Sequence, residues 1–373
     1  MESLSARGGK SAAAAALVVR ARFRLRLGKV DEAAADLEEG LRRFGRGSGP
    51  QRAEALLHLG HALLVRGKFV DARARLEEAI SLARRHGRAR LLVDALDRLG
   101  HASLDEGRLE EARALFDESL RRAHALPSEA AVAHATAELG LVDYFAGDLD
   151  AAGKRLDEGV RRARALGNRA LLADALNGLA FVAEDRGDLD GAAALYRESL
   201  SVCREEGDRF GAGRALMLLG ENDRRRGDPE GARRWYEASL ELNRAIGSTY
   251  ACGLLEGNLA YLAASEGMEE RASAHAAEAF RAYRETGSMT VGIPVLVALA
   301  EVFVGRGEIA RALALLGCAR DHPGNRQDHR FEIERVLARV RREAPGADLP
   351  AGLAKGAGRS LEKLADSALG RLR

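Results

Sequence analysis

Aromatic residues are scarce in this chain of 373 residues: one tryptophan, six tyrosines and ten phenylalanines, 5% of the total. Any core must therefore be filled by aliphatic and small side chains, and a hydrophobic content of 46% supplies them. Cysteine is rarer. Cys203, Cys252 and Cys318 stand far apart with no paired spacing, which excludes a disulfide framework and a zinc site and points to a reducing compartment, the cytoplasm. Neither sign of charge dominates: 58 basic against 56 acidic residues leave a net charge of +2, so a nucleic-acid partner is not expected. No apolar run approaches the roughly 20 residues that span a bilayer. Ala12–Val19, behind Arg7 and Lys10, faintly resembles the apolar part of a secretion signal, but its small residues are in register with the repeat described next and Arg20, Arg22, Arg24 and Arg26 follow at once.

What the chain has instead is a beat. Gly67, Gly107, Gly147, Gly187, Gly227, Gly267 and Gly307 are spaced by 40 residues, and Gly28 leads them by 39. A period in this range marks a repeat architecture. Around each anchor glycine four columns recur over eight units. Seven residues before it stands a small residue (Ala21, Gly60, Gly100, Gly140, Ala180, Gly220, Ala260, Ala300), usually preceded by leucine. Five after it stands alanine, from Ala33 to Ala312; nine after, a mostly large apolar residue such as Leu76, Phe116, Tyr196 or Tyr236; twelve after, another small one such as Ser119, Ser199 or Ser239. Small residues on one helix face let two antiparallel helices approach closely, and the large residue fills the space beside them.

The punctuation agrees. The anchor glycine closes a first helix as its C′ residue, and Asp148, Asp188 and Asp228 stand where a second helix needs an N-cap, with Pro229 at its first position. Gly87, Gly167, Gly207, Gly247 and Gly287 close the second helix on the same beat, and Asn168, Asp208, Ser248 and Ser288 cap the next unit; Pro127 and Ser128 do this where the glycine is missing. The pattern predicts about 16 helices of about 15–18 residues and no strands.

The segments "LGHALLVRGKFVDARARLEEAI" (59–80) and "LAFVAEDRGDLDGAAALYRESL" (179–200) carry the small–Gly–Ala–aromatic–small spacing of the tetratricopeptide repeat, and residues 14–322 resemble that family. The resemblance implies an all-α, right-handed solenoid of about eight repeats. The chain departs from the family in having leucine (Leu56, Leu96, Leu176, Leu216) where the first helix often opens with a bulky aromatic, in lacking the proline that often ends the second helix, and in its 40-residue unit, longer than the usual 34. Residues 1–13 are read as a lead-in and 323–373 as C-terminal capping helices, with one helix near 327–343 and a last one, Leu361–Leu372, capped by Ser360.

No catalytic chemistry is evident. "GGKS" (Gly8–Ser11) lacks the earlier glycine of a phosphate loop, Leu4 standing in its place, and has no strand before it. His58 and His61 are three apart, but no carboxylate or cysteine stands beside them at a repeated ligand spacing, and His58 is read on the leucine side of its helix with His61 opposite the packing stripe. Ser119, Ser199 and Ser239 belong to the small-residue column, and Glu77–Glu78 and Glu110–Glu111 suit helix N-termini. Neither an enzyme nor a cofactor or metal is expected.

In the family that this chain resembles, ligands usually lie in a groove lined by the first helix of each unit. By that resemblance the groove-facing places are two, three, six and ten residues before each anchor glycine. Here they hold an acidic stretch (Asp97, Asp105, Asn177, Glu184, Asp185), an aromatic one (Tyr144, Phe145, Phe181, Tyr261) and a basic one (Arg224, Arg225, with Glu221 and Met217 beside them), while His61 and His101 line the early end. Aromatics off the packing columns mark a contact surface. An acidic patch followed by a basic one would fix the direction of a bound peptide. The expected partner is therefore a protein or peptide segment held across units three to six, about residues 94–265.

The ends admit two readings. Residues 1–30 carry seven positive charges (Arg7, Lys10, Arg20, Arg22, Arg24, Arg26, Lys29) against Glu2, either as an atypical capping unit or as a docking surface. "ALALLGCARDHP", the later "LPAGLAKGAGRSLEKLADSAL" and "ALNGLAFVAEDRGDLDGAAALYRESL" resemble the repeat arrays attached to bacterial signal-transducing ATPases, transcriptional regulators and related kinases. Three functions follow from these readings: a scaffold capturing a segment in its groove, the ligand-sensing module of a larger regulator, or a structural subunit of a complex.

Overall fold

A computed structural model of the chain describes residues 2–44, 49–322 and 327–372, and within them the side chains other than those of 2–10, 327, 328 and 331. The described residues form 19 α-helices and no strand. Six helix pairs come first: α1 (Glu2–Arg26) with α2 (Val30–Phe44), α3 (Gly49–Val65) with α4 (Phe69–Arg85), α5 (Ala89–Asp105) with α6 (Leu109–Ala123), α7 (Glu129–Phe145) with α8 (Leu149–Ala165), α9 (Arg169–Asp185) with α10 (Leu189–Glu206), and α11 (Arg209–Arg226) with α12 (Pro229–Ile246). Two more pairs follow, α13 (Thr249–Ser265) with α14 (Glu269–Thr286) and α15 (Met289–Gly305) with α16 (Ile309–Asp321), and then α17 (Gln327–Glu343), α18 (Leu349–Ala354) and α19 (Leu361–Leu372). The chain divides into two compact units, Met1–Gly247 and Ser248–Arg373.

The repeat columns explain the pairing. An added Cβ on Gly60 would stand 2.7 Å from Leu76, on Gly100 2.6 Å from Phe116, and on Gly220 2.5 Å from Tyr236. The small residue seven before the anchor is thus the seat of the large residue nine after it. Ser199 and Ser239 donate their hydroxyls to the Ala173 and Gly213 carbonyls at 3.0 and 2.7 Å, tying each second helix to the first helix of its own repeat. All eight anchor glycines adopt positive φ, the left-handed conformation that glycine takes without a Cβ penalty. The side chains of Asp148, Asp188 and Asp228, and of Ser128, Asn168, Asp208 and Ser248, accept the N-cap bond. Ser288 makes no such bond, so that expected cap is absent.

Two local readings need correction. The stretch 2–13 is not an extended lead-in: α1 runs unbroken from Glu2, so Gly8–Ser11 lie within a helix and cannot form a phosphate-cradling loop. The side chains of Glu2, Arg7 and Lys10 lie outside the described residues. Three of the remaining basic residues of α1 are spent within the fold, while Arg26 is exposed. Arg20 and Arg24 both bond the buried Asp36 carboxylate, at 2.6 and 2.5 Å, and Arg22 pairs with Glu54 at 3.1 Å. Arg20, which replaces the leucine of the other units, is thus the partner of a buried acid.

Within the first unit the chain closes on itself. Ile246, at the end of α12 and 2% exposed, belongs to the same apolar cluster as Ala21, Leu25 and Val30, with Phe210 and Leu242 packed against it. A Cβ on Gly28 would stand 3.3 Å from Ile246. The first helices of neighbouring repeats also pack on one another, α3 on α5, α5 on α7, α7 on α9 and α9 on α11. They form an inner layer around a lumen that the sixth repeat closes against the first.

Candidate binding groove

The inner face of α7 and α9 carries the aromatic group expected from the sequence. Phe181 stacks on Tyr144 with ring centroids 5.5 Å apart, Phe145 meets Tyr144 edge-on at 5.2 Å, and Phe181 abuts the buried Tyr196 at 6.2 Å. Tyr144 and Phe181 are half-buried, and Phe145 is 37% exposed. Four residues before Phe181, one helical turn away, lies Asn177. It is 3% exposed, and neither its amide nitrogen nor its amide oxygen has a hydrogen-bond partner among the described residues. A buried side-chain amide left unpaired costs about 1–3 kcal/mol.

Tyr261 does not join this group. It lies in the second unit, 6% exposed, inside that unit's core, with the Arg335 guanidinium of α17 5.8 Å from its ring centre. The helix after the repeats covers the place that a groove residue would occupy.

The basic residues of the expected acidic and basic succession are not free: Arg225 is neutralised by acids of the preceding repeat and Arg224 by an acid of its own helix. Arg225 pairs with Asp185 at 3.0 Å and approaches Glu184 at 3.8 Å; Arg224 pairs with Glu221 at 2.7 Å. Asn222 donates to the buried Glu184 carboxylate at 2.9 Å, yet burial still pushes that carboxyl up. Met217 lies half-buried on the same face.

At the early end, the His61 ring faces Phe210 at 6.2 Å, beside the closure of the unit. Asp97 is buried and accepts the Ser119 hydroxyl at 2.6 Å; burial raises its carboxyl. His101 contacts the buried Glu138 carboxylate at 3.1 Å, and His134 approaches the same group at 3.5 Å. Burial opposes a charge on His101, but Glu138 outweighs it and raises the imidazole to about 9. His134 is raised in the same way, and the two imidazoles hold Glu138 below the usual carboxylate range against the effect of burial. Arg214 pairs with Asp174.

His134, Glu138, Asp174 and Arg214, with Asp94 and Arg98 on α5, were not among the sequence candidates. They occupy places nine and thirteen before the anchor glycine: nine falls between the places six and ten carried over from the family, and thirteen lies one turn beyond ten. The 3.6-residue period reaches them: His101, Arg98 and Asp94 follow one face of α5 at spacings of three and four. His58 and His61 likewise share this face, rather than lying on opposite sides, and the Arg98 charge acts on both.

A cleft of about 270 Å³ lies in the second unit between α14 and α19, lined by Phe280, Arg284, Asp366 and Leu369 among others. It gathers none of the groove residues. Among the described residues no helix is long and apolar enough to cross a membrane, and no group of three or more His, Cys, Asp or Glu side chains is placed to hold a metal.

Comparison with known proteins agrees with this architecture. The family profile described as the MalT-like TPR region matches residues 14–210, and a tetratricopeptide-repeat profile matches 213–238 and 294–317. Among curated proteins none matches in sequence. Among solved structures, a Rap protein complexed with competence and sporulation factor is similar with a TM-score of 0.66 at 11% identity, covering 97% of this chain and 100% of that one. The Rap conjugation gene regulator of plasmid pLS20, in complex with the Phr* peptide, is similar with a TM-score of 0.60 at 13% identity, covering 88% and 97%. A signal transduction ATPase with numerous domains and a tetratricopeptide repeat sensor, from Pyrococcus horikoshii, gives 0.54 at 14% identity, covering 91% of this chain and 55% of that one. At these identities the likeness is one of fold.

Proposed function

We propose, from the premise that the chain belongs to the MalT-like tetratricopeptide-repeat family, that its first unit binds an extended protein or peptide segment along the inner face of α5, α7, α9 and α11. The observation that carries this reading is the Tyr144–Phe181 stack with the 37%-exposed Phe145 beside it, which gives an apolar contact on the inner face for a side chain of the segment. Asn177, one turn before Phe181, is buried with its amide unpaired among the described residues and meets a bound backbone only if its side chain turns outward on binding. The two similar Rap structures hold competence and sporulation factor and the Phr* peptide, which makes a peptide the first occupant to test.

Screening a displayed library of unstructured hexapeptides against the full chain tests the reading. Selected peptides should lose at least about tenfold in affinity on Phe181→Ala. They should also weaken on Tyr144→Ala. Selected peptides that bind both variants as tightly as the parent would place their site elsewhere.

A second reading, the ligand-sensing module of a larger regulator, is supported by the MalT-like profile and by the fold of the ATPase sensor. It shares the same groove and differs in what the bound segment controls.

A further inference from the structure

One face of α1 is apolar and uncovered, and the repeat columns identify it. Between the fourth and fifth repeats the first helix meets the preceding repeat at three places: five, nine and twelve residues before its anchor glycine. A Cβ on Gly153 would stand 3.6 Å from Val182, five before Gly187. A Cβ on Gly178, nine before the same anchor, would stand 2.6 Å from Leu156 and 2.9 Å from Leu141 of the repeat before. A Cβ on Gly159 would stand 3.5 Å from Ala175, twelve before it. The place five before the anchor is buried in every later repeat of the first unit, at Ala62, Ala102, Val142, Val182 and Asn222.

In the first repeat these places hold Phe23, Val19 and Ala16. Phe23 is 61% exposed and Val19 51%, and Ala16 is exposed too. Leu27 and Ala12, both exposed, extend the row in either direction. Spacings of three and four keep all five on one side of the helix. The row is thus a stacking face with nothing stacked on it, and a contiguous exposed apolar row marks a contact surface.

Three observations indicate what covers it. The other end of the repeats is closed, with α17 and α19 packed on α15 and α18 on α16. A head-to-tail stack of two molecules is therefore blocked, and a second copy can cover the row only with its own α1, about a two-fold axis. The row is also graded in size, small at Ala12 and Ala16 and large at Phe23 and Leu27. Two rows laid antiparallel across Val19 set Phe23 of one copy against Ala16 of the other, and Leu27 against Ala12. This is the large-on-small fit that the repeat uses internally, as with Phe116 on Gly100. Laid parallel, large would meet large and small would leave a gap. Finally, the flanking charges suit the antiparallel pair. Arg20 and Arg24 are bound to Asp36 and Arg22 to Glu54, which leaves the exposed Arg26. Antiparallel, Arg26 of one copy lies beside residue 13 of the other, so the two Arg26 side chains stand about 20 Å apart along the axis. That exceeds the Debye length of roughly 8 Å at physiological salt, whereas a parallel pair would set them side by side.

We propose that the exposed row of α1 is a self-association surface through which two copies of the chain pair as an antiparallel, two-fold dimer centred on Val19. The surface goes beyond the segment-binding reading and shares no residue with it. A row this short buries less than the roughly 800 Å² per partner of a standard stable interface, so a dissociation constant of about 1–100 μM is expected.

Sedimentation of the full chain from about 1 to 300 μM tests the association. The parent should pass from monomer to dimer, and Phe23→Glu should weaken the dimer at least about tenfold. Val70→Glu, at an apolar residue exposed outside the row, should leave it unchanged. A parent that stays monomeric at the highest concentration, or a dimer that Phe23→Glu leaves intact, overturns the proposal. Should Phe23→Glu melt below the parent, Val19→Asp carries the same decision. Oxidative cross-linking of the full chain tests the geometry, with the parent and its native cysteines as control. Val19→Cys should link to itself, and Ala16→Cys should link to Phe23→Cys when the two are mixed. Phe23→Cys that links to itself faster than to Ala16→Cys overturns the antiparallel pairing.

Discussion

Helices α5 and α15 open corresponding repeats and share the same columns, yet one is lined with charge and the other is core. Where α5 places Asp94, Asp97, Arg98 and His101, α15 has Pro294, Val297, Ala298 and Glu301. In the first unit this face looks into the lumen. In the second, α17 and α19 pack on α15, and the one acid there, Glu301, is buried and paired with Arg339 of α17 at 2.6 Å. The repeat pattern sets which residues pair the two helices of a unit. What covers the remaining face decides whether that face becomes a hydrophobic core or a binding surface. A helix that is apolar all round, as α15 is, must be covered.

The comparison can be broken most forcefully in the covered unit. Phe303 is fully buried, and Phe303→Ala should cost about 3–5 kcal/mol, read as accelerated amide hydrogen exchange throughout α13–α16. Exchange left unchanged would mean that α15 is not the centre of that core. Next come the corresponding positions Val297 and Asn177, ten residues before their anchors and both almost fully buried. Val297→Asn should destabilise the second unit by about 2 kcal/mol, because its amide would find no partner there. The reverse exchange, Asn177→Val, should stabilise the first unit by about 1 kcal/mol in urea unfolding while weakening any segment bound in the groove. A loss of stability instead would show that the Asn177 amide is satisfied within the fold.

A smaller effect follows from His101. Its folded value, about 9, lies above the ordinary 6.5, so its contribution is complete below about pH 6.5 and is lost as the pH rises through about 9. Glu138, held low, contributes above the usual carboxylate range and loses its share as the pH falls. Stability of the first unit should therefore decline between about pH 7 and 9.5, and His101→Gln should flatten that slope; an identical slope in the variant would assign it to another group. The smallest effect is expected at the exposed pair Arg22–Glu54, where Arg22→Ala should change stability by less than about 0.5 kcal/mol. A larger loss would make the basic face of α1 more than a local cap.

Much of the architecture was legible because the repeat is a packing rule written eight times: Gly100 must be small because Phe116 occupies its Cβ space. The aromatic cluster was legible for a related reason, since Tyr144 and Phe181 stand off the packing columns. Other features escaped for physical reasons. Tyr261 holds a groove place by spacing, but α17 lies outside the period and nothing in the repeat announces that it folds over that face. The charges of Arg224 and Arg225 look free in sequence because their partners include residues of the preceding repeat, 40 positions away in the case of Asp185. The lumen group around Arg98 and Glu138 escapes because the places carried over from the family skip position nine, which shares a face with six, and end one turn short of position thirteen.

The seam between Gly28 and Ile246 gives the first unit a mechanical property that no single repeat has. Each repeat is joined to the next by a contact able to rotate slightly, and in an open array such rotations end in a free tip. Here six repeats end against their own beginning, so small rotations of equal sense add around the turn and concentrate at one apolar joint. A segment that tightens or spreads the inner helices therefore loads that joint more than any single junction between repeats, which makes the seam a lever arm for whatever the groove holds.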